Sequence, residues 1–288
     1  DLVVVHVNHL IREDAFRDEN FVKEICEKEN LPFYAKRADV RRLAKECHMS
    51  EEEAGRKVRY ESFGKVALEL MQKSVPKEKI AIALAHNAND QCETILFRIM
   101  RGTGTDGLAG IPYKRFDENG FAIIRPILDL KREEIEEYCK ARELQPRIDH
   151  TNNENIYARN KIRNLLIPYL QDNYNENIID TINRMGKIAS ADRAYIKEAA
   201  QEAYEKARIV DTDCNKQVLD VKILESLHNA VRFRVYTIAL EKLGMEQNIS
   251  FAQGENIDKV LTSDSPSAMC DLTDGYVALR EYHRLVFK

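Results

Sequence analysis

Short apolar, β-branched runs alternate with longer stretches of helical periodicity in the first half of this chain, and that alternation constrains the fold most. Leu2 to Val7 (LVVVHV) reads as a strand buried on both faces. Phe16 to Lys28 follows, with Phe21, Val22, Ile25 and Cys26 forming a helical stripe, and Phe33 to Arg37 reads as a second strand. Ser50 and Glu53 make a capping box that predicts a helix to about Ser74, with Ala54, Val58, Ala67, Leu70 and Met71 on its buried side. Ile80 to Ala85 is a third strand, and Asp90 to Arg101 is its helix, stopped by Gly102. Phe121 to Ile124 and Lys131 to Arg142 repeat the pair. This order predicts an α/β class, a Rossmann-like parallel sheet with helices on both faces.

The character changes after about Pro168. Asn177 to Arg208 is nearly unbroken helix, with further helix at Ile223 to Leu243 and Ser250 to Leu261. Ala268 to Phe287 reads as a hairpin turning at Asp274-Gly275. Two domains are expected, at 1–185 and at 186–288, the second smaller and mainly helical.

No apolar run approaches the roughly 18 residues that span a bilayer, so a soluble, cytoplasmic protein is expected. The six cysteines form no CxxC pair, which argues against a zinc ribbon, a cluster or a dithiol centre; they are expected to fill the core. The net charge of −4 speaks against nucleic acid as a partner, yet Asn155 to Gln171 holds Arg159, Lys161 and Arg163 with no acidic residue. A phosphate contact is local, so overall acidity does not exclude RNA.

Ligands of open parallel sheets bind beyond the carboxyl ends of the strands. Two such ends are densely polar: His6 to Arg12, with Asn8 and His9, and His86 to Thr94. In the second, Asp90 and Glu93 fall at i and i+3 in a first helical turn, a pair suited to Mg²⁺ or an ammonium group. The plainer reading is that they favour a helix N-terminus, with Asn89 as its cap. Arg98 to Gly104 ends the same helix, either as an ordinary C-cap or as an anion clamp.

Five blocks stand in an order that resembles the tRNA(Ile)-lysidine synthetase family. HNANDQCETILFRIMRGTGTDGLAGI (His86 to Ile111) resembles its HxxDDQxET…RGTGxxGLxGI block. HVNHLIR (His6 to Arg12) is similar to HVNHGLR, and SEEEAGRKVRY (Ser50 to Tyr60) to SxEEAARxxRY. IIRPILDLKREEIEEYC (Ile123 to Cys139) and DHTNNENIYARNKIRNLLIPYL (Asp149 to Leu170) match two further segments, and the closing DLTDGYVALREYHRLVF is similar to the family's end.

The resemblance implies an adenine nucleotide alpha hydrolase-like fold and an N-type ATP pyrophosphatase that adenylates the wobble cytidine of isoleucine tRNA. The ε-amine of lysine then displaces AMP to leave lysidine. Implied ligands are ATP with Mg²⁺, L-lysine and isoleucine tRNA, with no membrane partner and with a homodimer among the expectations. Onto matching positions it places His86, Asp90, Glu93, Arg98 and Arg101 in catalysis, with Asp90 also toward Mg²⁺. Asn8, His9, Arg12, Arg56, Arg59, Gly102 and Gly104 fall to the nucleotide, and Arg125, Arg159, Lys161 and Arg163 to tRNA. The first domain would be catalytic and the second would bind tRNA.

Three departures stand out. DDQ is Asn89-Asp90-Gln91 here, Leu10-Ile11 replaces Gly-Leu, and no SGGxDS pyrophosphate loop occurs. The chain therefore reads as trimmed of that loop and of a C-terminal domain. That keeps two alternatives open: a tRNA-binding fragment without catalysis, or another tRNA-modifying enzyme of the same superfamily.

Overall fold

The computed structural model describes residues 1–11, 14–147, 158–245 and 249–288. They form two compact units, one of residues 1–102 and 110–184, the other of residues 103–109 and 185–288.

In the first unit β1 (Val4–Asn8) leads through α1 (Ala15–Lys28) to β2 (Phe33–Arg37), and the two strands pair in parallel. α2 (Val40–Glu46) was not foreseen. The Asp39 side chain caps it by accepting the Arg42 N–H at 3.0 Å, and Val40 and Ala44 pack on Ala54 and Val58 of α3 (Glu51–Gln72). α3 carries the expected box: Ser50 Oγ accepts the Glu53 N–H at 3.2 Å, and Glu53 accepts the Ser50 N–H at 3.0 Å.

β3 (Ala81–Ala83) feeds α4 (Ala88–Met100), and after α5 (Thr105–Leu108) the chain forms β4 (Lys114–Phe116) and β5 (Ala122–Ile124). β5 lies parallel to β3 and antiparallel to β4. The parallel pairs thus form as expected, in two pieces: among the described residues β1 pairs only with β2, and β3 only with β5. Strand β4 escapes a sequence reading because Lys114-Arg115-Phe116 has no apolar alternation. α6 (Arg132–Ala141) and α7 (Ala158–Lys161) follow. α7 runs into one π-helical turn, Ile162–Leu166, and then into α8 (Ile167–Asn173). Pro168 has no N–H to offer the carbonyl four residues back, which disfavours a regular α ladder there.

α9 (Ile178–Ala207) carries the chain across the boundary into the second unit. There β6 (Arg208–Ile209), β7 (Gln217–Asp220), α10 (Val221–Ser226), α11 (Asn229–Lys242) and α12 (Phe251–Leu261) precede β8 (Met269–Asp271), β9 (Val277–Glu281) and β10 (Arg284–Phe287). The strands form one antiparallel sheet in the order β6-β7-β10-β9-β8, over a core that includes Tyr204, Leu219, Tyr236, Leu285 and Phe287. The hairpin turns at Asp274 and Gly275 as expected, and a second turn at Tyr282 (φ 55°) adds β10. The long helix expected from Ile223 to Leu243 is two helices, because His228 accepts the Ala230 N–H at 3.2 Å through Nδ1 and starts α11 anew. Thr103–Ala109 belongs to this unit through Arg234, which donates to Thr105 Oγ1 at 3.0 Å and to Asp106 at 3.1 Å.

Only Cys26 and Cys92 of the six cysteines are buried; Cys47 and Cys214 are exposed, against the expectation that they fill the core. Among the described residues no helix is long and apolar enough to cross a membrane.

Two features at the end of β1 bear on stability. Asn8 and Glu19 are buried there: Asn8 Nδ2 donates to Glu19 Oε2 at 2.9 Å, and Arg37 donates to Glu19 Oε1 at 2.6 Å. The Arg37 hydrogen bond holds the Glu19 carboxyl below its usual value of 4.5, outweighing burial. Its stabilisation is complete above that value and is lost as the pH falls through the lowered one. Glu19→Gln is expected to cost about 1.5–3 kcal/mol at pH 6, and urea midpoints of the two proteins should converge toward acid pH. Leu10, where the related block has Gly, has φ 54°. The left-handed region costs an L-residue roughly 1–2 kcal/mol, more than the entropy a glycine adds, so Leu10→Gly should raise stability by up to about 1 kcal/mol in a urea melt.

Candidate active site

The first turn of α4 stands just beyond the carboxyl end of β3. Asn87 caps it: its Oδ1 accepts the Asp90 N–H at 3.0 Å, and Asp90 Oδ2 accepts the Asn87 N–H at 3.0 Å. The expected cap, Asn89, instead accepts the Arg132 N–H at 2.9 Å. The capping box engages Oδ2 and leaves Oδ1 to other partners.

One turn on, Glu93 is fully buried (0% exposed). A carboxylate there needs cationic partners, and α7 with its π turn supplies two. Arg163 donates Nε to Glu93 Oε1 at 2.6 Å and Nη2 to Oε2 at 2.9 Å, and Arg159 donates Nε to Oε2 at 3.0 Å. Both also reach Asp90 Oδ1, Arg163 at 3.2 Å and Arg159 at 3.4 Å. Two guanidinium groups and two carboxylates close a neutral cluster. Asp90 therefore both caps the helix and joins an ion network, so the two readings of the pair coexist. Phosphate was the expectation for Arg159 and Arg163; the structure turns their donors to carboxylates, while Lys161 between them is exposed.

Beside this cluster, Arg125 Nε donates to His86 Nδ1 at 3.3 Å and Arg125 Nη1 to the Pro112 carbonyl at 2.6 Å. Arg125 is only 3% exposed, and its donors are turned to His86 and to the Pro112 carbonyl, whereas tRNA was the expectation for it. Burial pushes the His86 imidazole below its ordinary pKa; Asp90 opposes this, and Arg125, Arg159 and Arg56 add to it. Tyr60 lies between the guanidinium groups of Arg56 and Arg115, which stand 5.1 and 4.9 Å from its ring centre. Burial alone would raise its phenol, but the Arg115 hydrogen bond and the charges of Arg56, Arg115 and Arg125 hold it below its usual value. Arg59 is exposed on the same helix and lowers the pKa of His9, after burial.

The remaining candidates scatter. Asn8 spends its amide on Glu19 and on the Leu10 N–H at 3.0 Å, so it has a structural task at the place where a nucleotide contact was expected. His9 lies over Gly55, its ring 3.5 Å from where a Cβ would stand, with Nδ1 buried and unpartnered among the described residues. Arg12 lies outside the described residues. Arg101 lies over the Phe97 ring, about 12 Å along the helix axis from Glu93. Gly102 (φ 77°) ends α4, and Gly104 precedes α5 in the second unit. Sequence reasoning missed two members of the site: Tyr60 was already inside a quoted block, whereas nothing local marks Arg115.

No group of three or more His, Cys, Asp or Glu side chains arranged for a metal occurs among the described residues. Asp90 has Oδ2 in its capping box and Oδ1 shared by two arginines, so it does not fit the role of a resident Mg²⁺ ligand.

Glu93→Gln is expected to destabilise the protein by about 2–4 kcal/mol, since it leaves two guanidinium groups facing an amide in a buried pocket. Asp90→Asn keeps the cap but removes a carboxylate that two guanidinium groups share, and should cost less, about 1–2 kcal/mol, in the same thermal or urea melts.

The PP-loop domain profile matches residues 1–170. Among curated relatives, the tRNA(Ile)-lysidine synthase of Clostridium tetani is 43% identical over 84% of this chain and 49% of its own length. That of Caldanaerobacter subterraneus is 39% identical over 100% of this chain and 59% of its own. The chain thus spans roughly half the length of the curated relatives it matches. In fold, the structure is similar to the U34-tRNA thiolase NcsA of Methanococcus maripaludis, solved with its [4Fe-4S] cluster, at a TM-score of 0.51 and 14% identity over 66% of this chain and 63% of that one. With its parallel strand pairs and its polar cluster at their carboxyl ends, the chain belongs to the PP-loop domain family.

Proposed function

We propose that this chain carries the chemistry of lysidine formation: ATP-dependent ligation of L-lysine to the wobble cytidine of isoleucine tRNA, in the cytoplasm. Support comes from its curated relatives, named tRNA(Ile)-lysidine synthase, and from the carboxylate pair on α4 in a setting built to hold cationic nitrogen. In this reading the cytidine carbonyl oxygen attacks the α-phosphorus of ATP and pyrophosphate leaves. The ε-amine of lysine then attacks the activated carbon, and AMP departs with the bonding electron pair.

The residues divide this work by exposure. The Asp90 side chain is 18% exposed, and in this reading its Oδ1 exchanges its arginine donors for the lysine amine and takes the amine proton. Glu93, with no exposure, positions Arg159 and Arg163 around Asp90. Arg56, Arg59 and Arg115 set a positive field for the phosphates, and Mg²⁺ enters with them. Exposed Lys161 is left to meet an RNA phosphate, and the second unit supplies further tRNA contacts. All the residues invoked come from one chain, so the reading does not call on the expected homodimer.

The test is release of pyrophosphate from ATP by the purified protein, with L-lysine incorporated into isoleucine tRNA. Turnover should require all three substrates; incorporation of no lysine would overturn the reading. Asp90→Asn should reduce turnover at least tenfold in protein that remains folded, and raised lysine concentration should restore part of it.

A further inference from the structure

The stretch Gly110–Tyr113 is pinned by three side chains. Gln91 accepts the Ile111 N–H at 2.6 Å through Oε1 and donates Nε2 to the Ile111 carbonyl at 3.2 Å, as a neighbouring strand would. Arg98 donates to the Gly110 carbonyl at 2.9 Å. Gly110 has φ 64°, and a Cβ there would come within 2.5 Å of Gln91 Oε1, so the clamp closes only on glycine. The third side chain is Arg125, whose Nη1 donates to the Pro112 carbonyl and whose backbone N–H donates to the Tyr113 carbonyl at 3.0 Å.

The pinned stretch therefore decides where the Arg125 guanidinium lies, and its Nε points at His86 Nδ1. A guanidinium has five donors and no acceptor. Nδ1 must then present its lone pair, and the single proton of the neutral ring sits on Nε2. Protonating Nδ1 would set one N–H against another beside a buried cation.

We propose that Arg125, held by the stretch that Gln91 pins, fixes His86 as the neutral Nε2–H tautomer, so that His86 serves the site as a hydrogen-bond donor and not as a proton acceptor. The charged groups around the ring agree in sum. Asp90 on α4 favours the imidazolium, while Arg125 after β5, Arg159 on α7 and Arg56 on α3 oppose it, and burial opposes it most. The inference rests on the proposed function only for the donor's target, a phosphate oxygen gaining negative charge as AMP or pyrophosphate leaves. Gln91 and Arg125 are positioning residues in this scheme.

Long-range ¹H–¹⁵N spectra of ¹⁵N-histidine-labelled protein across pH 5–8, with the His86 signals identified by their loss in His86→Gln, read the tautomer directly and without substrates. The expected result is an unprotonated Nδ1, a protonated Nε2 and a titration midpoint below that of an ordinary histidine, near 6.5. Arg125→Met should raise that midpoint and mix the tautomers. Gln91→Leu should move both in the same direction by a smaller amount, and it stands in if the buried Arg125→Met fails to fold. A protonated Nδ1 in the unaltered protein, or His86 signals unmoved in the folded variants, would overturn the inference. Because no lysine, ATP or tRNA is present, failure here is distinct from failure of lysidine formation.

Discussion

A carboxylate with no exposure to water must be given its counter-charges by the fold, and the arrangement around Glu93 follows from that demand. α4 buries Glu93 because Cys92 and Ile95 on either side belong to the core. Arg159 and Arg163 lie one helical turn apart and both close on Glu93. Their shared hold on Asp90 Oδ1 then ties the helix cap, the ion cluster and α7 into one object. Neutralisation within the cluster leaves the positive field of Arg56, Arg59, Arg115 and Arg125 without an answering carboxylate in the ion pairs of the described residues. Such a field suits polyanionic ligands and adds to burial in lowering the His86 pKa.

How much of this was legible depends on the range of the interaction. Local signals were read well: the Ser50–Glu53 box, the stop at Gly102 and the turn at Asp274-Gly275 each involve residues within a few positions of one another. Elements whose cause lies elsewhere were missed. β7 is four residues long and exists because β10 and β6 flank it, and the break at His228 needs only one side chain turned onto a backbone N–H.

The site shows the same division. His86, Asp90 and Glu93 were recoverable as a polar cluster after an apolar strand. The partners of Glu93 were not, because 66 residues separate it from Arg159 and no periodicity spans that gap. The burial of Arg125 was illegible for a related reason. An arginine is ordinarily a surface residue, and only the backbone carbonyls and imidazole that gather around it allow it to sit inside. Leu10 shows how a substitution that looks mild by side chain can carry its cost in the backbone.

The seven-residue excursion Thr103–Ala109 has a consequence for dissecting the molecule. The chain crosses between the two units at 102–103, at 109–110 and at 184–185. A single cut after Arg184 would therefore not separate two self-contained pieces. It would leave the N-terminal fragment carrying a loop stripped of Arg234, its hydrogen-bonded partner, on the connection that leads from α4 to the Gln91 clamp. Autonomy of folding, commonly granted to a nucleotide-binding half expressed alone, is thus compromised at the loop that follows α4.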